Sequence, residues 1–260
     1  MNYETLQLTI NNNVASILLN RPDRLNSFDM KLGHDLYLVL EEVAKNSDVR
    51  VVIIKGAGKS FCSGGDVKEM HAAKDKSRYL RELTRAIHRC VIEIRSMEKP
   101  VIAAVNGAAF GAGLSLALGC DIIIAVKGVK MSTAFVNIGL APGCGTQFIT
   151  KLIGYQRACE FLLTSKIFTA EEAFQLGMIN HVVDAEKLDV TIENFISSFR
   201  FLPPIAVGKA KMLINKSLDN DMISHLELES KTAAWSAGTQ DFIEGISAFV
   251  EKRKPVFKGK

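Results

Sequence analysis

Short apolar runs, separated by polar or turn-forming residues, make up most of the first two-thirds of the chain. Residues 3–10 and 14–19 alternate apolar and polar positions on either side of three consecutive asparagines, which predicts a hairpin of two strands. Three later runs are apolar apart from Asp121 at the start of the last one, which is typical of strands covered on both faces. They span residues 51–54, 101–105 and 121–126.

Amphipathic segments lie between these runs. One is predicted to be a helix with Ser27 as its N-cap, because it carries apolar residues at helical spacing: Leu32, Leu36, Leu40 and Val43. A second long helix is predicted near residues 77–95. Strands that alternate with helices in this way predict βαβ units with right-handed crossovers, and therefore an α/β fold.

The pattern changes at about Lys187 and Leu188. From there onward only helical periodicity remains, with breaks at Pro203-Pro204 and around residues 219–221. We therefore predict two parts, a core over residues 1–187 and a helical C-terminal module over residues 188–260.

Composition excludes several classes of protein. With 48% hydrophobic and 23% charged residues, the chain has the composition of a globular protein with a substantial core. Its net charge of +4 is too small and too scattered to indicate nucleic-acid binding. The five cysteines show no C-x-x-C spacing, which argues against a disulfide framework or a zinc site and for a reducing compartment. No targeting segment or membrane span is visible, so the sequence predicts a cytoplasmic protein with no membrane partner.

Two glycine-rich segments, residues 60–70 and 106–115, each follow a predicted strand and lead into a helix. Small residues there let the backbone approach a ligand and leave amide N–H groups uncovered. Each segment taken alone is more often a tight structural turn. Together, two strand-end loops that each offer an N–H can converge on one oxygen atom, as stabilisation of a thioester enolate or tetrahedral oxyanion requires.

Several motifs, arranged in order over the whole chain, resemble those of the enoyl-CoA hydratase/isomerase (crotonase) family. They are residues 20–27 (NRPDRLNS), 61–70, 99–113, 119–121 (GCD), 177–179 (GMI) and 248–259. Within the family, the similarity points toward the phenylacetate-pathway ring-opening enoyl-CoA isomerases. That similarity lies in residues 24–28, 111–113 and 134–135.

The resemblance implies a ClpP/crotonase-like fold, a spiral of ββα turns with a helical C-terminal trimerisation module, assembled as a homotrimer or a dimer of trimers. It implies that the amides of Gly65 and Ala112 form the oxyanion hole. It also implies an acyl-CoA or enoyl-CoA substrate and no metal or other cofactor, coenzyme A being part of the substrate thioester. The residues that it assigns to coenzyme A are Arg24, Ser63, Asp66, Val67, Lys68 and, from a neighbouring subunit, Phe257 and Lys258.

The chain departs from the family pattern at the catalytic carboxylates. Matching glycines align the two glutamates of the hydratases with Ser115 and Phe135, and the acid of the isomerases with Gly143. Because a positioned acid–base group contributes about 10²–10⁴-fold in rate, we expect hydration by the usual mechanism to be slow. The remaining polar candidates are Ser115, Thr133, Asn137, Cys144, Glu69 and His71.

Three hypotheses about function stay open at this point. The first is an enzyme of hydratase/isomerase type that acts through enolate stabilisation. The second is a thioesterase or decarboxylase on the same scaffold, completed by water or by Ser115, whose segment faintly resembles a nucleophile elbow. The third is a non-catalytic acyl-CoA-binding subunit. Asp66 is interpreted as a structural helix cap, and the interpretation as structural or solvated extends to Asp121, His34, His88, His181 and His225.

Overall fold

An antiparallel hairpin begins the larger of two sheets. The computed structural model describes residues 3–260. Strands β1 (Leu6–Asn11) and β2 (Val14–Leu19) pair in antiparallel register, which confirms the predicted hairpin. Asn12 and Asn13 make the turn at φ values of 49° and 66°, a left-handed conformation that asparagine adopts more readily than most residues.

The larger sheet has six strands in the order β1-β2-β3-β5-β7-β10. From β2 onward all pairings are parallel, as the continuous apolar runs predict for a sheet covered on both faces. The strands after the hairpin are β3 (Val51–Gly56), β5 (Val101–Val105), β7 (Ile122–Val126) and β10 (His181–Val183).

A smaller sheet runs in the order β4-β6-β8-β9. Its strands are β4 (Ser60–Cys62), β6 (Ala108–Phe110), β8 (Lys130–Ser132) and β9 (Phe168–Thr169). Each of β3, β5 and β7 is followed directly by a strand of the smaller sheet before the chain turns into helix. The chain therefore winds through both sheets in each turn, which is the ββα spiral expected from the sequence.

Helices enclose the two sheets. In the core they are α1 (Met30–Lys45), α2 (Val67–Ala72), α3 (Lys76–Ser96), α4 (Ala112–Gly119), α5 (Thr146–Ile153), α6 (Tyr155–Thr164) and α7 (Ala170–Gln175). The N-cap of α1 is Asp29, whose carboxylate accepts from the Leu32 amide at 2.8 Å, so the prediction of Ser27 is wrong. The Ser27 hydroxyl instead lies 3.3 Å from the Asp66 carboxylate.

Four helices complete the chain: α8 (Leu188–Arg200), α9 (Pro204–Ser217), α10 (Met222–Ser236) and α11 (Gln240–Val250). The breaks predicted at the two prolines and near residue 220 are confirmed. Helix α8 packs against the face of the larger sheet opposite the main core and buries Leu188, Ile192 and Ile196 there. The division between residues 187 and 188 stays a prediction. Within residues 3–260, no helix combines the length and the apolar character needed to cross a membrane.

Candidate active site

The two glycine-rich loops touch each other. A Cβ atom added at Gly64 would lie 3.0 Å from the carbonyl oxygen of Phe110 and 3.6 Å from the amide nitrogen of Ala112. A Cβ added at Gly111 would lie 3.7 Å from Gly64 Cα. Both glycines have positive φ, 98° and 50°, so a side chain at either position meets backbone strain, and at Gly64 it also meets a close neighbour. Glycine at these positions is thus what allows the loops to converge.

The amide of Gly65 faces away from the hydrogen bonds that hold its own loop. Phe28 N–H donates to Gly64 O at 2.7 Å and Asp66 N–H donates to Phe28 O at 2.7 Å, which forms a parallel bridge between Phe28 and Gly65. In extended backbone, successive peptide groups point to opposite sides. Because the flanking groups bind Phe28, the Gly65 N–H points toward the opposite side of the loop.

Ala112 is the first residue of α4, and its N–H has no partner within the helix. The first intrahelical bond of this turn comes from Ser115 N–H, which donates to Gly111 O at 3.1 Å. All eight residues of α4 are buried and none is charged, so the positive end of the helix dipole is not neutralised by an acidic residue in the first turn. A Cβ at Gly113 would lie 2.1 Å from Cys62 O, which shows how closely α4 begins against β4.

Asp66 fixes the loop beside Gly65. Its carboxylate caps α2 by accepting from the amides of Lys68 and Glu69 at 3.1 and 3.3 Å, which confirms the predicted helix cap. It also accepts from Arg24 Nη1 at 3.1 Å. Burial acts to raise the pKa of Asp66, but the hydrogen bonds from Arg24 and from the two amides outweigh it, and the pKa is lowered. The buried carboxylate is therefore a structural element of the first glycine-rich loop.

Asn26 joins the segment around Arg24 to the same loops, and the sequence did not reveal this role. Its amide group donates to the carbonyls of Ala57 and Ser60 at 2.9 and 2.8 Å. Its side-chain oxygen accepts from Arg21 N–H at 2.9 Å. The side chain is fully buried at φ 55°, a conformation that asparagine tolerates better than most residues.

The residues assigned to coenzyme A lie in two separate places. Arg24, Val67 and Lys68 are exposed and Ser63 is half-buried, all on the first glycine-rich loop or beside it. Phe257 O accepts from Arg50 Nη2 at 2.7 Å, and Arg50 directly precedes β3, whereas the first glycine-rich loop lies beyond the other end of that strand. At roughly 3.3 Å per residue, the six residues of β3 separate the two places by about 20 Å. Phe257 and Lys258 thus lie far from the two glycine-rich loops.

The resemblance aligns three positions with acids of other family members, and two of them, Ser115 and Phe135, border the Gly111 turn. Ser115 Oγ lies 2.9 Å from Cys144 O and 3.1 Å from Gly111 O, so its proton is donated to a carbonyl. The Phe135 ring approaches to 3.7 Å of the Cβ position of Gly111. Gly143 directly precedes Cys144, and burial raises the pKa of the Cys144 thiol. Gly143 is thus one residue from the carbonyl that Ser115 binds, and none of the three positions carries a carboxylate.

His88, which the sequence analysis interprets as structural or solvated, is an exposed residue that contacts Gly143. It projects from α3, and its Nε2 atom lies 2.6 Å from Gly143 O. A Cβ at Gly143 would lie 3.0 Å from the methyl of Thr84, one helical turn before His88. An imidazole therefore stands beside Gly143, the position that the resemblance aligns with the acid of the isomerases. Helical spacing in the sequence places His88 on one face of α3, but it does not indicate which residues that face contacts.

Comparison with known proteins identifies the chain. The family model for enoyl-CoA hydratase/isomerase matches residues 9–260. The chain belongs to the enoyl-CoA hydratase/isomerase family. It is 36% identical to the 1,2-epoxyphenylacetyl-CoA isomerase of Escherichia coli over 252 residues, which are 95% of each chain. It is 34% identical to the short-chain-enoyl-CoA hydratase of Clostridium acetobutylicum over 244 residues, 93% of this chain and 92% of that one.

The crystal structure of an enoyl-CoA hydratase from Bacillus anthracis has the same fold, with a TM-score of 0.94 and 32% identity over 99% of this chain and 100% of that one. The crotonase fold and the membership of this enzyme family, both expected from the motifs, are confirmed. The protein is an acyl-CoA enzyme of the hydratase/isomerase family. Its relatives include both an isomerase and a hydratase, so family membership leaves the reaction itself undecided.

Proposed function

We propose that the protein moves a double bond within an enoyl-CoA, using the amides of Gly65 and Ala112 to stabilise the thioester enolate. The observation that carries this proposal is the contact between the two loops, with the Ala112 nitrogen 3.6 Å from the Cβ position of Gly64. One amide is left free by the bridge to Phe28 and the other by its place at the start of α4. Preorganised N–H groups of this kind favour the transition state because the negative charge appears only during the reaction.

Efficient hydration fits this site poorly. Adding water across a double bond requires a group that positions and activates the water, and hydratases of this family use two glutamates for it. Here the matching residues are Ser115, whose hydroxyl is donated to a carbonyl, and Phe135, whose ring offers no acceptor. A water beside the Phe135 ring loses a strong hydrogen-bond partner and is costly to hold there.

Double-bond migration needs fewer catalytic groups than hydration, because one acid–base group can remove a proton from one carbon and return it to another. His88 is the group that the structure offers, since its imidazole lies against Gly143. When Nε2–H donates to the Gly143 carbonyl, Nδ1 is left as the acceptor of a neutral imidazole. We assign His88 this proton transfer.

Decarboxylation is the second candidate, and the apolar Phe135 is the observation that favours it. Loss of CO₂ from an acyl-CoA leaves an enolate, which the two amides can stabilise without any prior removal of a proton. A dry wall beside the departing carboxylate disfavours its charged form and so assists the departure. A thioesterase with Ser115 as nucleophile is not supported, because the described contacts of its hydroxyl are two carbonyl oxygens and include no base.

Coenzyme A binding and assembly form part of the same proposal. Coenzyme A would extend from the oxyanion hole along a row of residues, with Asp66 contributing only its backbone: Arg24, Ser63, Asp66, Val67 and Lys68. Phe257 and Lys258 would reach the ligand of a neighbouring subunit, because they lie too far from their own. The exposed apolar residues of the last two helices support a homotrimer or a dimer of trimers, which would cover them; they include Met222, Ile223, Leu226, Trp235, Phe242, Ile243, Ile246 and Phe249.

A panel of acyl-CoA substrates tests the proposed reaction. 3-Enoyl-CoA, 2-enoyl-CoA and carboxyacyl-CoA compounds are incubated with the protein, and double-bond position, water addition, CO₂ and free thiol are followed separately. Migration as the fastest reaction, reduced about 10²-fold or more in His88→Gln, supports the proposal. Arg89→Gln, a change on the neighbouring exposed position of α3, is the control. Fast hydration, or migration that is unchanged in His88→Gln, contradicts the assignment, and CO₂ release as the main reaction favours the second candidate.

A further inference from the structure

The segment after α11, residues 251–260, has no regular secondary structure and yet is held in one place. The buried carboxylate of Asp241, the second residue of α11, is responsible for most of this. Its two oxygens accept from the successive amides of Lys258 and Gly259 at 2.7 and 2.8 Å. Its own N–H donates to Lys260 O at 3.1 Å. Two consecutive backbone N–H groups around a carboxylate, with Gly259 at φ 73°, form a small anion-binding nest.

Further contacts fix the same tail at other points. Glu244, one turn along α11 from Asp241, accepts from Arg253 and from the Val256 amide at 2.8 Å. These hydrogen bonds hold the pKa of Glu244 well below its usual value, at about 2. The ring of Phe257 packs near Gly245, where an added Cβ would lie 3.5 Å from Cε1. The backbone is therefore fixed on both sides of Lys258.

Lys258 itself remains available. Its side chain is exposed, and among residues 3–260 it takes part in no ion pair. A buried carboxylate is expensive to desolvate, and here it binds the main chain of a tail that adds little to the core. A lysine on a mobile tail loses both backbone and side-chain conformational entropy when it binds a phosphate. A lysine on a fixed backbone loses only side-chain entropy, so its binding costs less.

We propose that Asp241 is a positioning residue for coenzyme A. It fixes the backbone at Lys258 so that the ammonium group meets the phosphates of the ligand bound by a neighbouring subunit. This inference rests on the proposed function, in which Lys258 serves that ligand. Asp241 does not touch the ligand, and its effect on affinity passes through Lys258.

The test measures binding and is independent of the reaction. Calorimetry gives the Kd of coenzyme A and of pantetheine, which lacks the nucleotide and all phosphates, for the wild-type oligomer and its variants. Asp241→Asn replaces one acceptor oxygen by an NH₂ donor that faces a backbone N–H. Its Kd for coenzyme A should rise about five- to tenfold, within the range for weakening one hydrogen bond to a charged group, while that for pantetheine stays unchanged. Glu227→Gln, which removes an exposed charge from α10, is the matched control.

A double-mutant cycle separates positioning from a general structural role. Lys258→Ala removes the ammonium group but keeps the N–H that binds Asp241, so it should weaken coenzyme A binding alone. In that background Asp241→Asn should add less than twofold, because the two changes act through one contact. If Asp241→Asn does not fold, Gly259→Ala replaces it as the variant that disturbs the tail. Alanine at position 259 is strained because φ is 73°, and its Cβ would lie 3.0 Å from Pro204. Fully additive effects, or unchanged coenzyme A affinity in the tail variants, overturn the inference. A wild-type protein that binds no coenzyme A overturns the proposed function as well.

Discussion

The Ala112→Pro substitution removes one amide of the proposed oxyanion hole with little change elsewhere. Ala112 is the first residue of α4, where proline is well tolerated because that N–H has no helical partner. The preceding residue, Gly111, has φ 50° and ψ −119° and no Cβ to collide with the proline ring. The proline Cδ replaces the amide hydrogen and therefore lies where the thioester oxygen would bind. The fold should be retained and the hole lost.

The size of the effect follows from the number of donors. Removing one of two oxyanion donors typically costs about 2.7–4 kcal/mol, or a factor of about 10²–10³ in kcat. Because Cδ also blocks the oxygen site sterically, the loss in kcat/KM should reach the upper end of that range or exceed it. The affinity for free coenzyme A, which has no thioester oxygen, should change by less than about threefold, under 1 kcal/mol.

The assay compares three proteins on the best substrate of the acyl-CoA panel. Ala112→Gly is the matched control, since it keeps the N–H and removes only a methyl group. Turnover is measured together with the melting temperature and the Kd of coenzyme A, so that misfolding is distinguished from loss of the amide. If Ala112→Pro folds normally and retains turnover within a few-fold of wild type, the Ala112 amide does not bind the thioester oxygen and the proposed geometry is wrong.

Three further predictions concern the acids, the loop and the assembly. Crotonyl-CoA hydration, followed by loss of enoyl absorbance, should be slow and should rise when glutamate is placed at both Ser115 and Phe135; fast hydration by the wild type would contradict this. Because the folded pKa of Asp66 is lowered, its stabilising effect is present above its unfolded pKa of about 3.9 and is lost as the pH falls through the folded value. The melting temperature of Asp66→Asn should therefore be lower than that of the wild type at pH 7, and the difference should disappear in strong acid. A difference in melting temperature that does not depend on pH would contradict this role of Asp66. Light scattering at micromolar concentration should give a trimer or hexamer, and a monomer would refute the assembly.

Elements that depend on local pattern were predictable from the sequence. Alternating positions identify the hairpin and continuous apolar runs identify the parallel strands, because the pattern of apolar residues in a strand depends on which of its faces are buried. The cap of α1 shows where local reasoning stops. Ser27 and Asp29 are both good N-caps, but the bridge between Phe28 and Gly65 keeps the chain extended past Ser27. A partner almost forty residues away thus decides where the helix begins.

Contacts between distant segments account for the rest. Asp121 was expected to be structural, and its carboxylate does accept from the Val101 amide at 2.8 Å. It also pairs at 2.6 Å with Lys211, which could not be inferred from either residue alone. Lys211 further donates to Ile94 O at 2.6 Å and so ties α9 to the end of α3. Periodicity places Lys211 on a helix but contains no information about which buried carboxylate it meets.

The two parts of the proposed catalytic apparatus impose different demands on a sequence, and this explains why the sequence suggested one of them and not the other. An oxyanion hole made of backbone amides needs only residues that let two loops approach, and the glycines at 64, 65, 111 and 113 are the signal from which it was predicted. An acid–base group is a side chain, and any element that borders the pocket can supply it. Where the aligned positions hold Ser115, Phe135 and Gly143, the proposal assigns proton transfer to a histidine of α3 that contacts Gly143. In that proposal the two amides would stabilise the enolate, while the available proton carrier would determine which reaction follows.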